Sequence, residues 1–122
     1  MIDPPAVCNL AVAFKAVTRS WTPRIIASLN GQEVKIARLE GEFCWHRHEE
    51  GDELFFVLEG DLEIRFRRGV VRLGPGEMVV VPRGVEHLPI AHGPVRVVLI
   101  EPEGTRNTGD VENAFTVEPE RG

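Results

Sequence analysis

Along most of the chain, short apolar runs alternate with polar punctuation. Leu62, Ile64 and Phe66 alternate with Glu63, Arg65 and Arg67, a period of two that buries one face of a strand and wets the other. Runs rich in Val, Ile, Leu and Phe cover residues 24–29, 33–40, 53–58, 62–67, 78–81 and 95–101, each of strand length and strand composition. Between them stand Gly31, Gly41, Gly51, Gly60, Gly69, Pro75-Gly76, Pro82, Gly84 and Gly93-Pro94, residues that end strands and start turns. Asn30-Gly31 signals a two-residue hairpin. Only residues 10–17, where Ala, Val and Phe mix with Lys15, predict a short helix. After residue 103 the periodicity is lost, which predicts extended structure fading into a mobile tail. The pattern therefore predicts an all-β fold, a sandwich or closed barrel. Its expected parts are a partly helical amino-terminal segment (1–20), the β-barrel (21–103) and an extended tail (104–122).

Composition narrows the function classes. With 122 residues, 43% of them hydrophobic and 27% charged, the chain has the size and make-up of one soluble domain. The apolar runs at 54–58 and 97–100 fall far short of the roughly 20 residues that span a bilayer, so no membrane partner is expected. Nineteen acidic against 14 basic residues give a net charge of -5, the wrong sign for a nucleic-acid partner. Asp3, Pro4 and Pro5 stand where a signal peptide needs a cationic and then an apolar stretch, which makes a cytoplasmic location the expectation. Cys8 and Cys44 form no Cys-x-x-Cys pair and predict no disulfide scaffold. No tyrosine occurs, which removes mechanisms needing a tyrosyl radical, a tyrosine acid or a Cys-Tyr crosslink.

The chemistry concentrates in four residues. His46 and His48 are two apart, so on an extended chain both imidazoles share one face. After the turn through Glu49-Glu50-Gly51-Asp52 the chain reverses into a strand starting at Glu53, whose carboxylate can lie beside the two rings. His87, just past the rigid turn Pro82-Arg83-Gly84, can return to the same point. Three neutral imidazoles and one carboxylate suit one divalent first-row transition metal per chain, Fe, Mn, Ni, Co or Zn, and not a thiolate-rich soft site.

These residues resemble the cupins. The first cupin motif, G-x5-H-x-H-x3,4-E-x6-G, is followed by Gly41, His46, His48, Glu53 and Gly60, with four residues instead of five after the first glycine. The second, G-x5-P-x-G-x2-H-x3-N, is met by Gly76, Pro82, Gly84 and His87, with Ala91 in place of the final asparagine. Neither departure touches a ligand. The resemblance implies a single-domain jelly-roll barrel holding the metal inside through His46, His48, Glu53 and His87. The flanks, Trp21-Thr22-Pro23-Arg24 and Glu101-Pro102 through Asp110, look like a group of small bacterial cupins labelled mannose-6-phosphate isomerase-like. That label rests on distant similarity and carries no activity with it.

Four protein ligands on a metal that prefers six leave two positions for a ligand with adjacent oxygens, such as a hydroxy acid, diketone or sugar diol. By strand parity, Cys44 lies on the side of His46 and His48, and Phe55 and Val57 on the side of Glu53, which makes them expected pocket walls. Ile64 and Phe66 are expected to extend that lining. Glu49, Glu50, Asp52, Glu86 and His92 lie near the ligands in sequence and are the acid-base candidates. Lys35 and Arg38 differ by an odd number, so only one can point inward, and an exposed charged face is expected for both. Arg65, Arg67 and Arg68 are expected in solvent. The other face of the Glu53 strand, with Leu54, Phe56 and Leu58, is apolar and needs a cover. A second sheet layer, the amino-terminal segment with Phe14 and Trp21, or a partner subunit would supply it, and a homodimer is expected. The leading function is a metal-dependent enzyme acting on a small oxygen-rich molecule by isomerase, lyase or dioxygenase chemistry. The alternative is a non-catalytic module that binds or senses a small molecule at the same metal; a closed structural metal is least favoured.

Overall fold

Eight strands carry the computed structural model, which describes residues 2–122. They are β1 (Arg24–Leu29), β2 (Gln32–Glu42), β3 (Glu53–Glu59), β4 (Leu62–Phe66), β5 (Gly69–Leu73), β6 (Met78–Val81), β7 (Leu88–Pro102) and β8 (Glu120–Arg121). The all-β reading holds, in jelly-roll form with one small helix. The predicted hairpin at Asn30-Gly31 joins β1 to β2, with both residues at positive φ (50° and 76°), as a twist-matched two-residue turn requires.

The strand β7 organises the domain. Its first part, Leu88–Ala91, pairs with β4, while Val97–Ile100 lies between β2 and β3. The sheet order is β5-β4-β7-β2-β1-β8, with β3 and then β6 branching from β7. The strands bend over a common interior without closing into a continuous hydrogen-bonded ring. That interior is filled by Ala37, Leu39, Phe55, Val57, Leu62, Ile64, Leu73, Val81, Val95, Val97 and Leu99, the inward parity of β2, β3, β4 and β7.

Besides the short β8, two sheet segments were absent from the sequence prediction. β5 (GVVRL) opens on a glycine and exposes four of its five residues, so no apolar run marks it. The first half of β7 contains Pro89, His92, Gly93 and Pro94, which read as breakers. The helix is shorter than predicted, Leu10–Ala13 followed by a 3₁₀ turn at Phe14–Ala16, with Asn9 capping its start through a 3.0 Å bond from the Val12 amide.

This amino-terminal cap covers part of the outer sheet face. Phe14 and Val17 are buried against Ile36, with Ile26, Leu58 and Val98 around them. Arg38 lies on the outer parity of β2 and is not a free surface charge. Its guanidinium donates to the carbonyls of Val17 (2.6 Å) and Phe14 (3.0 Å), anchoring the cap. Ile36 is fully buried beneath the cap, so Ile36→Val will cost about 1 kcal/mol, read as a lower urea midpoint at unchanged slope. A fall in the slope instead would mean that the cap is not part of the cooperative unit.

The segment expected as an extended, mobile tail folds back over the barrel. Thr105 and Thr108 are buried. Asn107 is bonded to the Phe115 carbonyl (2.8 Å) and the Val117 amide (3.1 Å), and β8 pairs in parallel with β1.

Candidate metal centre

The four histidine and glutamate residues singled out in the sequence are brought together by three separate pieces of chain. His46 and His48 stand in the irregular segment before β3, Glu53 begins β3, and His87 immediately precedes β7. A bridge pairs His46 with His87: the His87 amide donates to the His46 carbonyl (2.9 Å) and the His46 amide to the His87 carbonyl (3.1 Å). One ligand atom from each of the four residues lies within 4.8 Å of all the others. Donors about 2.1 Å from one ion stand about 3 Å apart when adjacent and about 4 Å when opposite. His48 Nε2 and His87 Nε2 are 3.2 Å and 3.5 Å from Glu53 Oε1.

The donor atoms fit an ion and little else. His48 Nε2, His87 Nε2 and Glu53 Oε1 are buried without hydrogen-bond partners, although buried polar atoms are nearly always satisfied. The Nδ1 atoms of His46 and His87 bond the carbonyls of Cys44 (2.9 Å) and Val85 (3.0 Å). This places the proton on Nδ1 and leaves each Nε2 lone pair for a metal. Burial, reinforced by the nearby His87, pushes His46 down to about 4, so the ring is neutral at pH 7. Burial also opposes the charge on Glu53, but the imidazoles of His48 and His87 close beside it outweigh that and hold the carboxyl well below its usual range.

The His46 shift gives stability a sign. Its folded value lies below its unfolded one, so it stabilises the metal-free fold above about pH 6.5, and that contribution is lost as pH falls towards 4. In chelator-treated protein, the unfolding free energy of wild type relative to His46→Gln will fall by about 3 kcal/mol from pH 7 to pH 4. A pH-independent difference between the two would contradict the buried neutral ring.

A narrow, partly open recess runs beside the cluster. His46 and Glu53 lie on its wall, together with Trp21, Leu39, Phe43, Phe55, Leu99, Lys35 and Glu101. Of the side chains expected as pocket walls, Phe55 lines it. Val57 and Ile64 are fully buried in the hydrophobic core beneath. Phe66 faces a second depression, with Arg47, Arg67 and Arg68. Cys44 is half-buried, its thiol pushed up by burial, and it serves the cluster through its backbone carbonyl.

The acid-base candidates point elsewhere. Glu49 pairs with Arg47, Asp52 accepts from the Arg83 amide (2.8 Å), and Glu86 pairs with Arg67 (3.2 Å). Glu50 is exposed. His92 bonds Glu63 (2.9 Å), and Arg65 (2.6 Å) and Arg72 (3.0 Å) share that carboxylate and hold it below its usual range.

The recess instead contains a charge group that the sequence reading placed on the surface. Lys35 is 2% exposed, with its Nζ 3.8 Å from Glu33, 3.7 Å from Glu101 and 3.4 Å from the Thr105 carbonyl. Burial and the neighbouring Glu53 push Glu101 well above the carboxylate range. Parity held the signal: Val95, Val97, Leu99 and Glu101 share the inward face of β7, and Lys35 pairs with Leu99 across the β2–β7 ladder.

The recess is finished by residues outside the main strands. Trp21 has φ 59°, unusual for a bulky residue. It is held there by stacking on Phe43 (4.5 Å between centroids) and by its ring N–H, which donates to the Glu40 carbonyl (2.9 Å). Phe115 packs on Phe43 from the other side (5.0 Å). Asp110 accepts from the Arg47 amide (2.9 Å), tying the carboxy-terminal segment to the histidine segment. Gly109, at φ 58°, lies so close that a Cβ would strike the Arg47 carbonyl.

Known proteins resemble this chain in sequence and fold. A cupin-2 domain-containing protein of Shewanella frigidimarina superposes with a TM-score of 0.78 at 43% identity, over 80% of this chain and 95% of that one. Protein YdbB of Bacillus subtilis is 34% identical over 80 residues, 65% of this chain and 71% of that protein. Homogentisate 1,2-dioxygenase of Bradyrhizobium diazoefficiens is 40% identical over 79 residues, which are 63% of this chain and 16% of that enzyme. Residues 32–101, from the start of β2 almost to the end of β7, match the cupin domain family, and the chain belongs to it.

Proposed function

We propose that the chain is a metal-dependent enzyme acting on a small oxygen-rich metabolite, a sugar, uronate, hydroxy acid or diketone, by isomerase, lyase or dioxygenase chemistry. The observation that carries this reading is a buried three-histidine, one-glutamate cluster with His46 and Glu53 on the wall of an open recess. A divalent ion bound by His46, His48, Glu53 and His87 would supply polarisation of a carbonyl or stabilisation of an enolate. The Nδ1 bonds to Cys44 and Val85 fix two of the rings for that task. The likeness to homogentisate 1,2-dioxygenase supports the dioxygenase branch. Placement in the mannose-6-phosphate isomerase-like group rests on the flanks around Trp21 and residues 101–110 and carries no activity with it.

Elemental analysis of tag-free protein, prepared under argon without added nickel, tests the reading. Near-stoichiometric iron followed by oxygen uptake with diketones, thiols or catechols supports dioxygenation. Zinc, manganese or nickel with turnover of sugars or uronates supports isomerase or lyase chemistry. Metal with no turnover of any of these leaves a binding or sensing module, and no metal after reconstitution overturns the metal reading.

We also propose that the protein is a cytoplasmic homodimer. Among the described residues no helix is long and apolar enough to cross a membrane. Beyond the reach of the amino-terminal cap, Leu54 and Phe56 pair with Val80 and Met78 on the edge strand β6. Directly paired residues share a face, and Met78 and Val80 are 56% and 45% exposed. A second copy covering this apolar face accounts for it. Light scattering is expected to give twice the chain mass for wild type and the single mass for Met78→Glu/Val80→Lys; a monomeric wild type would end the proposal.

A further inference from the structure

The recess is more apolar than a sugar ligand requires. Trp21, Leu39, Phe43, Phe55, Pro89 and Leu99 form its walls. A sugar has hydroxyls on every face and would leave most of them unpaired there. Polar groups gather at one side, where His46 and Glu53 of the cluster meet Lys35, Glu101 and Thr105. The ladders explain the grouping: Leu54 pairs with Ile100 and Glu33 with Glu101, so Glu53 and Glu101 are cross-strand neighbours. Lys35 is already occupied by Glu33, Glu101 and the Thr105 carbonyl. Glu101, itself 2% exposed, keeps one oxygen, Oε1, without a hydrogen-bond partner. Lys35 Nζ stands 3.7 Å from that same oxygen, too far for a hydrogen bond, so Oε1 keeps an accepting lone pair that a donor on a ligand can take.

Resting on the metal reading above, we infer that the recess takes a compact ligand with an aromatic or branched apolar body. Its head carries a metal-binding oxygen next to a hydroxyl, and that hydroxyl donates to Glu101. The apolar walls read the body, and the adjacency of Glu101 to Glu53 requires the hydroxyl to lie within a bond or two of the chelating atom. Trp21, held at an unfavourable backbone angle on the recess wall, supplies a flat contact for the body.

Three probes separate the contributions: mandelate has body and hydroxyl, phenylacetate lacks the hydroxyl, and lactate lacks the body. Each is titrated into the zinc-loaded full chain by calorimetry, with tryptophan fluorescence of wild type against Trp21→Phe reporting occupancy of the recess. Mandelate is expected to bind at least tenfold more tightly than either of the others and to quench Trp21. Glu101→Leu is expected to cut the preference for mandelate over phenylacetate by about tenfold, leaving phenylacetate itself within twofold. Glu101→Gln, nearly isosteric and retaining a weaker acceptor, is expected to cut it about threefold and guards against misfolding of the leucine variant. Equal binding of mandelate and lactate, or equal losses for mandelate and phenylacetate in both variants, overturns the inference while the metal reading stands. Failure of wild type to take up zinc overturns both.

Discussion

A His48→Ala/Glu53→Ala double variant will fold and will not retain a stoichiometric divalent ion, while wild type prepared in parallel will. Two of the four donors are then gone, and two imidazoles alone are a poor set for any first-row metal. Losing even one hydrogen bond behind a metal ligand commonly weakens binding by about 10–100-fold, so loss of two ligands will exceed 100-fold. The fold survives because the deleted donors, His48 Nε2 and Glu53 Oε1, leave no protein hydrogen bond broken behind them. Truncating two buried side chains leaves a cavity, so the metal-free variant will melt below metal-free wild type while still folding. With saturating ion the gap widens, since only wild type gains the linkage term. Elemental analysis and circular dichroism melts decide the matter, and unchanged metal content in the variant would refute the site assignment.

Lys35→Ala will have the largest effect on stability of any single surface-type residue, about 3–5 kcal/mol in urea unfolding. Its ammonium is enclosed with Glu33 and Glu101 at 3.8 Å and 3.7 Å, all three side chains being buried. Truncation leaves Glu101 inside the barrel with no cation and Glu33 with only the exposed Arg121, 4.0 Å away. Glu101 is already raised by burial, so the variant will gain stability as pH falls, when a proton can replace the lost charge. The triple change Glu33→Gln/Lys35→Met/Glu101→Gln will recover most of the loss, because a neutral group of similar volume carries no unpaired charge. A cost below about 1 kcal/mol for Lys35→Ala would place the ammonium in water.

The same residue shows where the sequence could be read and where it could not. Period two located the inward faces of β3 and β4, and the His46-x-His48 spacing with Glu53 and His87 located the cluster, because both are local and repeat along a strand. Parity also said that one of Lys35 and Arg38 faces in, but the prior for a charged residue favoured solvent. Only the β2–β7 ladder shows Glu33 and Glu101 closing around Lys35, and there it joins residues more than sixty apart in the chain, Glu33 with Glu101 and Lys35 with Leu99. The Phe14 cap, anchored by Arg38, is likewise a contact between distant pieces. Val57 and Ile64 had the inward parity of pocket residues but lie in the packed interior; parity tells inside from outside and says nothing about depth along the barrel axis. The tail was opaque because its order comes from side-chain bonds at Asn107, Thr108 and Asp110 with no periodic signature.

The placement of Gly109 has a consequence for how such a domain changes its ligand. The metal donors all belong to the stretch that defines the family, residues 32–101, whereas Trp21, Pro23, Thr105, Asn107 and Pro119 around the recess lie before or after it. Affinity for the ion is thus written in one stretch, while the choice of ligand is shared between that stretch and the two terminal segments. The two terminal segments can drift or be exchanged without disturbing the donors, provided the carboxy-terminal one keeps a residue without a Cβ where it touches the Arg47 carbonyl. A graft of residues 103–122 between two such domains would therefore alter substrate preference through Thr105, Asn107 and Pro119 and leave the metal behind.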